Sequence, residues 1–249
     1  MTFNIAAGTA GGAGGDSAML ARIARVIRES DADIVALQEV DVHWSARSLF
    51  ADQADVLARA LGMHVRFAPI YHVTAKELGA RPREFGVALL SRFPVTGFRN
   101  HELLRLSTQN VGAAPSPAPG FLEATVIAHG VEVRVFNTHL DYRGDPAVRI
   151  AQVREMLAVI GDATTPTLLF GDLNATPDAP ELQPLFRTLH DVWNSDAGAG
   201  LTYPAKSPAK RIDFVLGSSH FRARAARVIE TDASDHRPVV ADVLLFAHH

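Results

Sequence analysis

The run Thr167-Leu168-Leu169-Phe170 passes without a break into Gly171-Asp172-Leu173-Asn174. Such a run reads as a buried strand, and the Gly-Asp-Leu-Asn that follows reads as a turn at its carboxyl end. Two positions apart in a turn, Asp172 and Asn174 can be aimed at one point. A carboxylate and an amide at the lip of a sheet can hold water, a metal ion or a phosphate. They are also ordinary turn formers that cap backbone groups. The turn alone does not choose between these readings, and the other strands have to.

Five further segments end on, or are interrupted by, a polar residue that an apolar core has no use for. Asn4 lies within Thr2–Ile5, and Glu39 follows Val35-Ala36-Leu37-Gln38. His139 follows Val133–Thr138, Asp213 sits between Ile212 and Phe214, and Asp235-His236-Arg237-Pro238 precedes the last apolar run. Singly, Glu39 reads as a strand end, His139 as a satisfied core histidine and Asp235 as a turn residue. Asp213 is different, because a carboxylate inside a buried strand needs a partner. Together the residue types fit one chemistry. Oxygen ligands without sulfur suit Mg²⁺ or Mn²⁺ rather than zinc. Cleavage of a phosphodiester needs an activated water, a cation on the phosphoryl oxygens and donors for the developing charge.

Composition removes several alternatives. There is no cysteine, so disulfides, thiolate metal sites and a cysteine nucleophile are excluded. Net charge is −3, which supplies no global positive field for nucleic acid or anionic lipid, although a local basic groove stays open. Hydrophobic residues make up 47% of the chain, enough for a sizeable core. No apolar run approaches the roughly 20 residues that span a bilayer. Met1–Ile5 reads as folded strand from its first residue, so no signal peptide is expected, unless one has been trimmed away. The cytoplasm is the default compartment and a monomer the expected state. Ala247-His248-His249 reads as a tag remnant.

In chain order, a strand at Thr2–Ile5 precedes the glycine-rich Gly8–Gly15, which lacks the Lys-Ser/Thr of a P-loop and reads as a loop. Asp16 or Ser17 caps a helix with Leu20, Ile23, Ala24 and Ile27 on one face. A strand at Ile34–Leu37 follows, then a helix from Ser48 with Phe50, Ala54, Leu57 and Leu61, ending at Gly62. Val65–Ala68 and Glu84–Ser91 read as strands around a polar loop from Ile70 to Arg83. A strand near Arg99–Leu106 leads into a loop, Ser107–Gly120, that holds Pro115, Pro117 and Pro119. Phe121–Ala128 and Glu132–Thr138 form a hairpin. Pro146 opens a helix with Ile150, Val153, Leu157 and Ile160 on one face. After the strand at 167–170 comes a loose stretch through Pro208, then strands at Arg211–Leu216, Arg222–Ile229 and Val239–Phe246. Helices alternate with strands early and hairpins dominate late, with no composition break. The pattern predicts one α/β domain over residues 1–249, with two mixed β-sheets packed face to face and helices outside, a four-layer sandwich.

Thr2-Phe3-Asn4-Ile5, Leu37-Gln38-Glu39, Asn137-Thr138-His139-Leu140, Gly171-Asp172-Leu173-Asn174, Arg211-Ile212-Asp213-Phe214 and Ser234-Asp235-His236-Arg237-Pro238 resemble, in order, the motifs of the endonuclease/exonuclease/phosphatase superfamily. That superfamily includes pancreatic-type deoxyribonucleases, abasic-site endonucleases, neutral sphingomyelinases and inositol polyphosphate 5-phosphatases. The resemblance spans residues 2 to 246. It implies that Glu39 is the principal metal carboxylate, with Asn4 beside it on the metal or the phosphate and Asp235 nearby. It implies that Asp172 orients or deprotonates the attacking water and that Asn174 holds water or phosphate. His139 and His236 match donors to the phosphoryl oxygens, Asp213 the carboxylate that pairs with His236, and Glu84 a carboxylate supporting His139.

The chain departs from the pattern where Ala6-Ala7 follow the first Asn-Ile and where Pro119-Gly120 stand in place of an arginine before Phe121. Arg47 or Arg143, near the motif-bearing segments, are candidates to contact substrate in its place, as is Trp44. The expectation is a Mg²⁺- or Mn²⁺-dependent phosphoesterase acting on a phosphodiester. A small organic or lipid-headgroup substrate is favoured over nucleic acid on charge. The alternatives are a DNA or RNA nuclease and, from another class, a non-catalytic binding protein on the same fold.

Overall fold

A computed structural model describes residues 1–10, 17–75, 79, 81–110, 112–193 and 198–246. Most of the glycine-rich loop, the Asp16 cap and Ala247–His249 lie outside them. Twelve strands among the described residues form two six-stranded sheets. The first contains β1 (Thr2–Asn4), β2 (Ile34–Val42), β3 (His64–Val73), β4 (Arg83–Ser91), β11 (Phe221–Val228) and β12 (Val239–Leu245), in the order β11-β12-β1-β2-β4-β3. The second contains β5 (Val95–Arg105), β6 (Ser116–Ala128), β7 (Val131–His139), β8 (Thr167–Asp172), β9 (His190–Asp191) and β10 (Asp213–Gly217), in the order β5-β6-β7-β8-β10-β9. Each sheet has one parallel pair at its middle, β1 with β2 and β7 with β8. The remaining pairs are antiparallel.

Alternation along these strands generates four layers. Val35 and Leu37 of β2 and Phe3 of β1 pack with Ile23 and Ile27 of α1 (Ser17–Ser30) and Leu57 of α2 (Gln53–Leu61). Ala36, Leu89, Val135, Leu168, Phe170 and Val215 point the other way and fill the space between the sheets. Phe136, Leu169 and Phe214 face outward again, against Met156 and Ile160 of α3 (Ala147–Ile160) and Leu185 of α4 (Gln183–Thr188). Central strands apolar on both faces are what unbroken runs such as Thr167–Phe170 require.

The outline departs from expectation locally, each time for a physical reason. Helix α2 starts at Gln53, not Ser48. Leu49 and Phe50 have φ of 52°, and the Asp52 side chain accepts a bond from Asp55 N at 2.9 Å, capping the helix there. Phe50 is therefore exposed and outside the core. Ile150 is also exposed, so the apolar face of α3 is narrower than its spacing implied. Strand β3 runs to Val73, because an edge strand tolerates the polar sequence read as a loop. Strand β6 begins at Ser116 despite Pro117 and Pro119. Its first residues pair with β5 alone, and pairing with β7 begins at Leu122, so the missing N–H groups face no partner strand. The short α4 and β9 fall in the stretch that looked structureless.

Candidate active site

The inward-facing positions of β1, β7, β8 and β10 reach polar residues at one edge of the sandwich. Thr2 and Asn4 share the inner face of β1. Leu168, Phe170 and Asp172 share that of β8, and Asp213 and Val215 that of β10, so a period of two delivers Asn4, Asp172 and Asp213 into the gap between the sheets. Register adds the neighbours. Asp172 pairs with His139 on β7 and with Asp213 on β10.

One carboxylate oxygen is the focus. Asp172 Oδ2 accepts a hydrogen bond from Asn4 Nδ2 at 3.0 Å, and lies 3.5 Å from His139 Nε2 and 3.6 Å from His236 Nε2. Its partner oxygen, Oδ1, accepts Asn174 N at 3.0 Å, which fixes the carboxylate plane through the turn itself. Asn174 takes a φ of 51° there, and its Nδ2 donates to Leu140 O at 3.0 Å, tying the ends of β7 and β8 together. Gly171 is required beside it, because a Cβ at that position would stand 2.6 Å from Thr138 O.

Asn4 bridges two carboxylates. Its Nδ2 also donates to Glu39 Oε1 at 3.1 Å, while its Oδ1 accepts Ala6 N at 3.0 Å. Asn4 thus holds Glu39 to Asp172 through its amide nitrogen, and its oxygen, bonded once, keeps a second acceptor site. Glu39 lies at a register shift between Leu37 and Val40 and has φ of 54°. Such a bulge re-aims a side chain from its regular face. Ser234 Oγ donates to Asn4 O at 2.7 Å and also lies 3.4 Å from Asp235 Oδ1, which brings the 234–236 segment to the same edge.

His236 and Asp213 form a buried pair, Nδ1 to Oδ2 at 3.0 Å, with the Tyr203 ring against the imidazole at a centroid distance of 4.7 Å. Burial pulls the His236 pKa down, but Asp213 and Asp172 outweigh it and push the pKa up to about 10. Burial also pushes the Asp213 carboxyl up, and the charge on His236 opposes that. With both ring nitrogens facing carboxylates, we place the proton on the imidazole.

Asp172, Asp213 and His236 are close enough together to hold a metal ion, and a cation bound there would have to displace the imidazole proton. Glu39 and Asp235 carry further carboxylates at this edge, of the oxygen type that hard divalent cations take. Neither has a cationic partner at ion-pair distance among the described residues.

Three expected residues are elsewhere engaged. Glu84 does not meet His139. It is at the start of β4, and its Oε1 bonds His72 Nδ1 at 2.7 Å. Arg47 forms a two-point bond with buried Asp41, Nε to Oδ2 at 2.9 Å and Nη2 to Oδ1 at 2.7 Å. Arg143 is paired with Asp141 and donates to Leu106 O at 3.2 Å. Both guanidiniums are therefore largely committed to the protein. Trp44 packs with Tyr71 and Phe85 at centroid distances of 6.3 and 6.0 Å.

Sequence reasoning passed over the polar clamp beneath the site. Buried Gln38 donates from Nε2 to Asn137 Oδ1 at 2.8 Å. Asn137 Nδ2 in turn donates to Leu37 O at 2.9 Å and Ala88 O at 2.8 Å, joining the two sheets. Both residues stand in the quoted motifs, and two amides inside apolar runs were the available signal.

The model of the Endonuclease/Exonuclease/phosphatase family matches residues 1–236. A solved endonuclease/exonuclease/phosphatase from Beutenbergia cavernae is 29% identical, with a TM-score of 0.79, over 98% of this chain and 70% of that one. The human Nocturnin catalytic domain is 21% identical with a TM-score of 0.70, over 97% and 91% of the two chains. A mannosyl-6-phosphatase of Bacteroides thetaiotaomicron is 17% identical with a TM-score of 0.66, over 98% of each. No curated protein sequence matches the chain. The two sheets, the motif order and the family match agree, and the chain belongs to the Endonuclease/Exonuclease/phosphatase family, hydrolases that act on phosphoester bonds.

Proposed function

We propose that this protein is a divalent-metal-dependent hydrolase of phosphodiesters, with a small organic or lipid-headgroup ester as substrate. The observation that carries the reading is the convergence of Asn4, His139 and His236 on Asp172 Oδ2. A buried carboxylate with donors on three sides is suited to orient a water and take its proton as the oxygen attacks phosphorus in line with the departing oxygen. The charged His236 then hydrogen-bonds a non-bridging phosphoryl oxygen, with Asp213 fixing its ring, and His139 serves a second oxygen. Asn174 and Asn4 hold the water and the carboxylates in place.

Glu39 and Asp235 would hold Mg²⁺ or Mn²⁺, which when bound supplies positive charge to the phosphoryl oxygens. The net charge of −3 favours a small ester over a long nucleic-acid footprint. The test is a panel of esters assayed with Mg²⁺ and with Mn²⁺: DNA, RNA, sphingomyelin, glycerophosphodiesters, inositol phosphates and a chromogenic diester. Hydrolysis of a small diester that disappears with chelator and with Asp172→Ala supports the reading. Plasmid nicking by wild type, absent in Asp172→Ala, with small esters untouched would replace it by a nuclease. Full activity in Glu39→Ala, Asp172→Ala and His236→Ala would end it.

A further inference from the structure

We propose that Arg105 is the positioning residue for His139, holding the end of β7 from the neighbouring strand pair. The inference rests on the phosphoesterase reading only in assigning His139 to the phosphate.

Two arginines are buried among the described residues, and they are treated differently. Arg149 faces Glu181, Nη2 to Oε1 at 2.9 Å, as a buried cation ordinarily must. Arg105 has no carboxylate at ion-pair distance among the described residues. Its three nitrogens are spent on backbone carbonyls instead: Nε on Pro119 O at 2.9 Å, Nη1 on His139 O at 3.0 Å and Nη2 on Gly120 O at 3.1 Å. Burial pulls its pKa down to about 10, still leaving the guanidinium charged at neutral pH. A buried charge held on carbonyls, with Asp141 favouring it only from beyond ion-pair distance, is an expensive way to satisfy three acceptors, so the positions of those carbonyls matter.

The carbonyl of His139 is the informative one. It belongs to the His139–Leu140 peptide, whose N–H, that of Leu140, donates to Asp172 O at 3.0 Å. Leu140 O then accepts Asn174 Nδ2 at 3.0 Å. The peptide after His139 is thus gripped on one side by Arg105 and on the other by the turn that carries Asp172. That grip sets where the imidazole stands relative to Asp172 Oδ2, 3.5 Å from Nε2.

The rest of the neighbourhood is cut to admit the guanidinium. Gly120 has φ of +117°, and a Cβ there would stand 3.0 Å from Arg105 Nη2 and 2.2 Å from Ile70 Cγ1. Asn100 fixes the same turn by accepting Gly120 N at 2.7 Å. The space left by the missing side chain at Gly120 is shared by Ile70 and by Arg105, which reaches over from β5.

The experiment compares wild type with Arg105→Lys, which keeps a charge but lacks the planar fork, and Arg105→Ala. Three readouts are taken: kcat and KM on the chromogenic diester, thermal unfolding, and the imidazole ¹H–¹⁵N signals of His139 and His236. The expected result for folded Arg105→Lys is a kcat lower by on the order of a hundredfold, as for an angstrom of misplacement. KM should stay within about twofold, and the His139 signals should shift while those of His236 hold. In Arg105→Ala, added guanidinium should restore part of kcat and of the His139 signal, and an equal concentration of ammonium should not.

A folded Arg105→Lys with wild-type kcat and unmoved His139 signals overturns the proposal. So does a drop in stability with unchanged kcat. If the wild type hydrolyses no phosphate ester, the phosphoesterase reading fails, and the His139 signals still decide the role of Arg105.

Discussion

His139 and Asp172 stand directly across from each other on adjacent parallel strands, and their side chains meet at 3.5 Å on the inner face of the second sheet. The pairing is a consequence of register. Shifting β8 by one residue would turn Asp172 to the helix layer and bring Gly171 inward. The site is therefore as well determined as the strand pairing beneath it.

Asp172→Asn keeps the side-chain shape and removes the charge on which three donors converge. Hydrolysis should fall by on the order of 10²–10⁴, the range for loss of a general base. The variant should also unfold earlier than wild type, because its amide nitrogen must face one of the buried donors, Asn4 Nδ2 or Asn174 N, and the charged His236 loses one of its two facing carboxylates. Rate measurements on the chromogenic diester, paired with thermal melts, check both halves.

The His236 pair makes a pH prediction with a defined sign. The folded pKa of about 10 lies above the ordinary 6.5, so its contribution to stability is complete below about pH 6.5 and is lost as pH rises through 10. Wild type should therefore lose unfolding free energy between pH 7 and 10, and His236→Gln should show a flatter profile. Asp213→Asn should lower the imidazole pKa, a shift read directly by NMR titration of the ring. A His236 that titrates at its ordinary value in wild type would refute the assignment of its charge.

Much of this was legible in the sequence, and the boundary is physical. Thr167–Asn174 and Ile34–Glu39 announced themselves because a buried strand tolerates no polar residue without cause. The two-sheet sandwich followed from early helix–strand alternation and late hairpins. What was not legible depended on neighbours distant in sequence. Nothing local in Glu84 distinguishes a partner of His139 from a partner of His72, since a carboxylate at a strand end takes whichever histidine register brings opposite. Arg47 and Arg143 looked free because nothing in the sequence singles out Asp41 and Asp141 as their partners. Pro117 and Pro119 looked like a loop because only the register shows that their unpaired side faces no strand.

Away from the site, Glu123 carries a stability prediction of opposite sign. Burial raises its carboxyl pKa, but His101 and Arg134, each bonded to it, lower the pKa on balance below the usual 4.5. A depressed carboxylate stabilises the fold above its unfolded pKa and loses that contribution as pH falls through the folded one. Wild type should thus lose stability more steeply below about pH 4.5 than Glu123→Gln does, while at neutral pH the variant should be the less stable of the two. Acid titration of the unfolding midpoint for both proteins tests this, and parallel curves would show that Glu123 contributes nothing.

Gly171→Ala probes the link between packing and chemistry. The added methyl would meet Thr138 O at 2.6 Å and Thr138 Cγ2 at 2.8 Å, both on the strand that carries His139. Backbone cannot yield as a flexible side chain can, so β7 and β8 must separate. Overpacking of this kind costs roughly 1–3 kcal/mol. Moving the strands apart also moves His139 from Asp172, since these residues follow Thr138 and Gly171 in the same register. The variant should therefore show a lower unfolding midpoint and, under conditions where it is fully folded, a kcat reduced by about tenfold or more. Reduced stability with a wild-type kcat would mean that the strand pair absorbs the methyl without disturbing its ends. The spacing of His139 and Asp172 would then be set by the bonds at the strand ends, those of Asn174, Leu140 and Arg105, and not by the close approach of Gly171.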